Sequence, residues 1–90
     1  MTVYIDNMNA KYGRMIMCHM IADTSEELKR MAHLINLNVK WIQYPDTYKE
    51  HFDISLGYKQ KALAHGAIEI SMRELGAMIR NRRKNLSIIA

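Results

Sequence analysis

The sequence predicts a small α/β domain, a mostly parallel sheet with covering helices in the order β-β-α-β-α-β-α. Three observations carry this reading. Short runs of β-branched and aromatic residues alternate with segments of helical period. Two Ser/Thr-x-x-Glu signatures, Thr24–Glu27 and Ser71–Glu74, mark helix starts directly after apolar runs. The run from Met15 to Ala22 is apolar on both alternating faces, as a central strand covered from both sides would be.

Val3, Tyr4 and Ile5 form the first expected strand, ending at Asp6. Asn7 to Gly13 reads as a polar loop, and Met15 to Ala22 as the second strand. Thr24 caps the first helix, whose apolar stripe is Leu28, Met31, Ala32 and Ile35. Asn36 and Asn38 close it. Val39 to Gln43 reads as a third extended segment, stopped by Tyr44-Pro45. Asp46 to Asp53 is a polar, aromatic-bearing connection. Ser55 opens a second helix with Leu56, Ala62 and Leu63 inward, and Gly66 ends it. Ala67 to Ile70 is the last expected strand. Met72, Leu75 and Ile79 are the buried side of a third helix.

Ninety residues make one domain, expected over 1–85, with 86–90 as a tail that forms an edge strand, a partner contact or disorder. A domain this short buries only ~60% of its unfolded surface. Cys18 is alone, so no internal disulfide supplements that burial. A homo-oligomer is the expected remedy. The first residues lack the pattern of a signal peptide, no apolar run reaches the ~20 residues of a membrane helix, and a lone cysteine fits a reducing compartment. The expected setting is cytoplasmic. The net charge of +4 is local, with Arg73, Arg80, Arg82, Arg83 and Lys84 all late in the chain. That distribution argues against a whole-domain nucleic-acid binder.

In sheets of this class, ligands bind beyond the carboxyl ends of the strands. Those ends are followed here by Asp6, Asp23, Gln43 and Ser71, with His19 near the end of the second strand and Arg14 at its start. Helix N-termini at Thr24 and Ser71 favour phosphate or carboxylate, and Arg73 would reinforce the second. Plainer roles compete. Asp23 and Ser71 cap helices, Asp6 can cap a turn, His19 can be a core histidine, the methionines pack, and Trp41 reads as a structural anchor. The sharper signal is His51-Phe52-Asp53, whose alternation sends His51 and Asp53 to one side and Phe52 to the other. Such a pair can bind a divalent metal, orient a general base, or hold a ribose and phosphate.

Several runs together carry a resemblance: Gly13-Arg14, His19-Met20-Ile21-Ala22-Asp23-Thr24, Glu27-Leu28, His51-Phe52-Asp53-Ile54 and Gly66-Ala67-Ile68-Glu69-Ile70. From Val3 to about Arg73 the chain resembles the domain of unknown function family numbered 4031. That resemblance implies a bacterial or bacteriophage source and no established activity. It singles out Arg14, His19, Asp23, His51 and Asp53, then Trp41 or Gln43. The chain departs from the family pattern in two places. Cys18 stands where an aromatic is common, and Tyr58, Lys59 and Lys61 stand where arginines usually begin the helix. Lysine keeps the charge without the forked grip on phosphate.

Two functions follow as expectations. The first is a binding domain for a small anionic, nucleotide-like ligand, resting on the helix N-termini, Arg14, Arg73, Lys59 and the aromatics Tyr4, Tyr44 and Trp41. In a phage it would sequester a signalling nucleotide. The alternative is a small hydrolase or lyase acting on a nucleotide or phosphate ester. There, His19 or His51 serves as base or metal ligand and Asp53 or Asp23 orients it. Two histidines with carboxylates can hold Mn²⁺, Mg²⁺ or Zn²⁺. The chain contains no nucleophile motif, no phosphate-cradling glycine loop and no His-Glu-x-x-His.

Overall fold

In the computed structural model, which describes residues 2–89, the chain runs β1 (Val3–Ile5), β2 (Ala10–Tyr12), β3 (Met15–Ala22), α1 (Ser25–Leu34), a 3-10 turn (Val39–Trp41), β4 (Phe52–Ser55), α2 (Leu56–Ala64), β5 (Ile68–Glu69) and α3 (Met72–Ile89). β3 is the hub of the sheet. Met20 pairs with Ile5 of β1 and Phe52 of β4, while Met17 pairs with Ala10 of β2 and Ser55 of β4. β1 and β2 therefore share one edge of β3, and β4 takes the other. All three pair antiparallel; β5 alone pairs parallel, against β1.

The sheet is thus mixed, which corrects the expectation of a mostly parallel one. Two local causes account for it. The segment read as a polar loop contains β2, an exposed strand with no alternation to betray it. Gly13 and Arg14 close a two-residue hairpin between Tyr12 and Met15, with Gly13 at φ +62°. A positive φ at the first turn residue is what such tight antiparallel turns require. The second cause lies after α1. The expected strand Val39–Gln43 is instead a 3-10 turn, because the Asn38 side chain accepts from Lys40 N at 3.0 Å and curls the backbone. The long connection that follows carries the chain back before β4 begins, so β4 runs against β3 rather than with it.

Helices α1 and α2 cover one face of the sheet. Val3, Ile5, Cys18, Met20, Ala22, Phe52 and Ile54 point into that core and meet Leu28, Met31, Ala32, Ile35 and Ala62. Helix α3 lies over part of the other face, where Ile21 and Leu75 are buried. The period-2 rule places His19 on that second face. In α2 the inward positions differ from expectation. Leu56 is 37% exposed, and Lys59 occupies the buried position one turn before Ala62 and Leu63. The backbone of 86–89 continues α3, so that part of the expected tail is helix rather than edge strand; position 90 lies outside the described residues.

Both short helices end the same way. Asn36 (φ +64°) and Gly66 (φ +97°) turn left-handed, and the next amide reaches back, Leu37 N to Ala32 O and Ala67 N to Ala62 O. Asn36→Ala forces a β-carbon-bearing residue with no local polar compensation into that conformation. It is expected to cost about 1 kcal/mol in urea denaturation.

Candidate functional site

Asp6 follows β1 and extends its pairing, its amide donating to His19 O at 3.0 Å. Its carboxylate is 1% exposed and fully engaged. Oδ1 accepts from His19 N at 2.9 Å and Met8 N at 3.3 Å, and Oδ2 stands 2.7 Å from His19 Nδ1. A carboxylate already accepting two amides accepts the imidazole N–H as a third donor, so Nδ1 carries hydrogen and, in the neutral ring, Nε2 presents a lone pair.

On the neighbouring strand, His19 pairs directly with Asp53. Phe52 and Ile54 are buried in the core, so His51 and Asp53 emerge on the His19 face. His51 is pinned at its backbone by a two-bond bridge to Gln43. Its Nδ1 lies 2.7 Å from Lys49 O. A carbonyl can only accept, so this ring also carries hydrogen at Nδ1, and in its neutral form presents a lone pair at Nε2.

Both Nε2 atoms meet Asp53 Oδ1, at 3.6 Å from His19 and 3.3 Å from His51. One ligand atom from each of the three residues lies within 4.8 Å of the others. Three electron-rich atoms at this spacing repel unless a cation or protons lie between them. Atoms about 2.0–2.2 Å from a metal stand roughly 3–4 Å apart, so the cluster needs only slight closure to ligate one. The Asp6–His19 pair is also the usual outer support of a metal-binding imidazole. The side chains are 29% (His19), 17% (His51) and 45% (Asp53) exposed, so an ion held by them would keep positions open toward solvent.

The residues expected at one rim are not all brought together. His19, His51, Asp53 and Asp6 converge. Arg14 lies in the hairpin turn, five positions along an extended chain from His19, about 16 Å away. Arg73 is exposed on α3, while Leu75 and Ile79 face the histidines. Lys59 is buried beneath the sheet, its Nζ bonded to Asp6 O at 3.2 Å, near Cys18 Sγ, and paired with Glu69. It braces the site from behind. Asp23 accepts from Thr2 N at 3.0 Å, and Gln43 contributes through its backbone. Trp41 is 55% exposed, which removes it as a core anchor.

The helix N-termini are also engaged locally. At α3, Ser71 and Glu74 exchange two capping bonds and Met72 N donates to Asn7 Oδ1. At α1, Thr24 caps Glu27 N, and the buried Glu50 accepts from Ser25 Oγ. Glu50 also accepts from Asp46 N at 2.7 Å, folding the 44–50 loop onto itself. That loop supplies Lys49, which the sequence did not single out, and Tyr44, expected only as a ligand-facing aromatic. Lys49 gives the carbonyl that sets the His51 tautomer. Tyr44, at φ +50°, stacks on His51 with ring centroids 6.1 Å apart. The signal available for the latter was Tyr44-Pro45, which marks a sharp bend but not its direction.

The geometry defines a class: a small mixed-sheet α/β protein with a two-histidine, one-carboxylate cluster on one sheet face. Among the described residues, no helix is long and apolar enough to cross a membrane. The model of the family described as protein of unknown function (DUF4031) matches residues 3–82, and the chain belongs to that family. No curated protein and no solved structure matches it.

Proposed function

We propose that His19, His51 and Asp53 hold a divalent metal ion through which the protein binds a small phosphate-bearing ligand and hydrolyses its phosphate ester. One observation carries the reading: two imidazoles whose Nδ1–H bonds are each committed elsewhere present their Nε2 atoms to the same carboxylate oxygen. Neutral imidazole nitrogen and carboxylate oxygen suit Zn²⁺ and Mn²⁺. Arg14 lies in the hairpin turn and Arg73 is exposed on α3, so neither arginine is placed directly beside the three residues. A metal supplies the missing positive charge.

Such an ion polarises a phosphoryl oxygen and lowers the pKa of bound water. The chain's own residues do the rest. Asp6 holds His19 in the ligating tautomer, and the Lys49 carbonyl holds His51. The Asp53 oxygen that makes neither histidine contact is available to take the proton of an attacking water. The water oxygen bonds to phosphorus, the ester P–O bond breaks, and the departing alkoxide takes a proton from solvent.

Tag-free protein is expected to bind one equivalent of Mn²⁺ or Zn²⁺ and to release product from a chromogenic aryl phosphate, with activity lost to EDTA and restored by metal. Absence of stoichiometric metal binding sinks the proposal. If metal binds and each added nucleotide returns chemically intact, the protein is a binding module rather than a hydrolase.

A further inference from the structure

Two separate clefts flank the cluster, and the three ligating residues are divided between them. One, of about 220 Å³, is bounded by His19, His51, Tyr44, Lys49, Leu75 and Ile79. The other, of about 340 Å³, is bounded by His19, Asp53, Met8, Lys11, Tyr12 and Met17. His19 belongs to both, so the metal-ligating atoms form the saddle between two hollows rather than the floor of one.

The hollows share a chemistry. Each combines an exposed tyrosine, Tyr44 (56%) or Tyr12 (79%), with a lysine and apolar side chains. In the first, Lys49 Nζ lies 5.6 Å from the Tyr44 ring centroid. An aromatic face accepts a flat heterocycle, and a nearby ammonium favours the negative charge next to it. A phosphate monoester has one organic group and would fill one hollow only. A phosphodiester has two, and its phosphate lies between them.

We infer that the substrate is a phosphodiester carrying a planar ring on each side, a dinucleotide, its bridging phosphate over the His19–His51–Asp53 saddle, one ring beside Tyr44 and the other beside Tyr12. This inference rests on the metal-centre reading above and narrows it to one substrate class. Hydrolysis then gives one nucleoside and one nucleoside monophosphate. Water adds its oxygen to phosphorus, and the leaving alkoxide is protonated by solvent.

The test measures binding without turnover. Protein loaded with Mn²⁺ is titrated with a hydrolysis-resistant phosphorothioate-linked dinucleoside and, separately, with a nucleoside 5′-monophosphorothioate, by calorimetry. The dinucleotide is expected to bind about tenfold more tightly or better, the scale of one added base–aromatic stack. Tyr12→Ala removes that advantage and leaves the monophosphate unchanged, whereas Tyr44→Ala weakens both. Tyr12 is on an exposed edge strand, so its variant folds; thermal melting checks this. Equal affinity for the two ligands, or a Tyr12→Ala variant that keeps the preference, overturns the inference. Mn²⁺ stoichiometry, measured on the same samples, separates the two failures. Metal bound with no diester preference removes only the substrate assignment, whereas no metal bound removes both.

Discussion

Asp53→Ala is expected to abolish stoichiometric binding of Mn²⁺ or Zn²⁺ while leaving the fold intact. Asp53 is the member of the cluster most open to solvent, and its removal opens no cavity in the core. Substitutions at such positions usually change stability by about 0.5 kcal/mol or less. The loss of metal affinity should exceed a hundredfold, since losing even an outer partner of a ligand costs roughly 10–100-fold. Thermal melting with and without metal is the direct check. A ligand present at about a thousand times its Kd stabilises the native state by roughly 4 kcal/mol. The wild type should show a metal-dependent rise in Tm, and Asp53→Ala none. His51→Ala should behave in the same way. A variant that retained the full rise would move the metal elsewhere.

Asp6→Asn is expected to reduce metal affinity by about 10–100-fold without removing any ligating atom. The substitution keeps the shape of the side chain and changes what it can accept. Asn Oδ1 can still receive the His19 amide, but its NH₂ group then faces His19 Nδ1 and donates to it. The imidazole shifts its hydrogen to Nε2, which turns a lone pair into an N–H aimed at the ion. Nitrogen NMR shifts of His19 distinguish the two tautomers, so the tautomer and the affinity should change together. Both backbone amides bond the Oδ1 that Asn keeps, but the buried charge-assisted bond to His19 is lost. A stability cost of about 1–3 kcal/mol is therefore expected alongside. A loss of stability with affinity and tautomer unchanged would assign Asp6 to scaffolding alone.

The two residues differ in how readily the sequence revealed them. His51 and Asp53 were legible because a period of two is local: with Phe52 buried between them, they must share a side. Asp6 could be marked as a strand-end carboxylate, but its role behind His19 depends on which residue of β1 faces which residue of β3. A shift of one position would send its side chain to the opposite face. Lys59 shows the reverse case. Its charge suggested a ligand contact, and the helical period of α2 places it inward, where Asp6 O and Glu69 bond it.

By itself the sequence determined the helix boundaries at Thr24, Ser71 and Gly66, the central apolar strand and the His–x–Asp face. All of these follow from interactions a few residues long. Tertiary structure alone decided the sheet's direction and membership. Antiparallel β4 and the β2 hairpin depend on where the chain returns, which no local period encodes. The same pairing brought His19 opposite Asp53, left Arg14 about 16 Å away, and gathered one cluster from three separate parts of the chain.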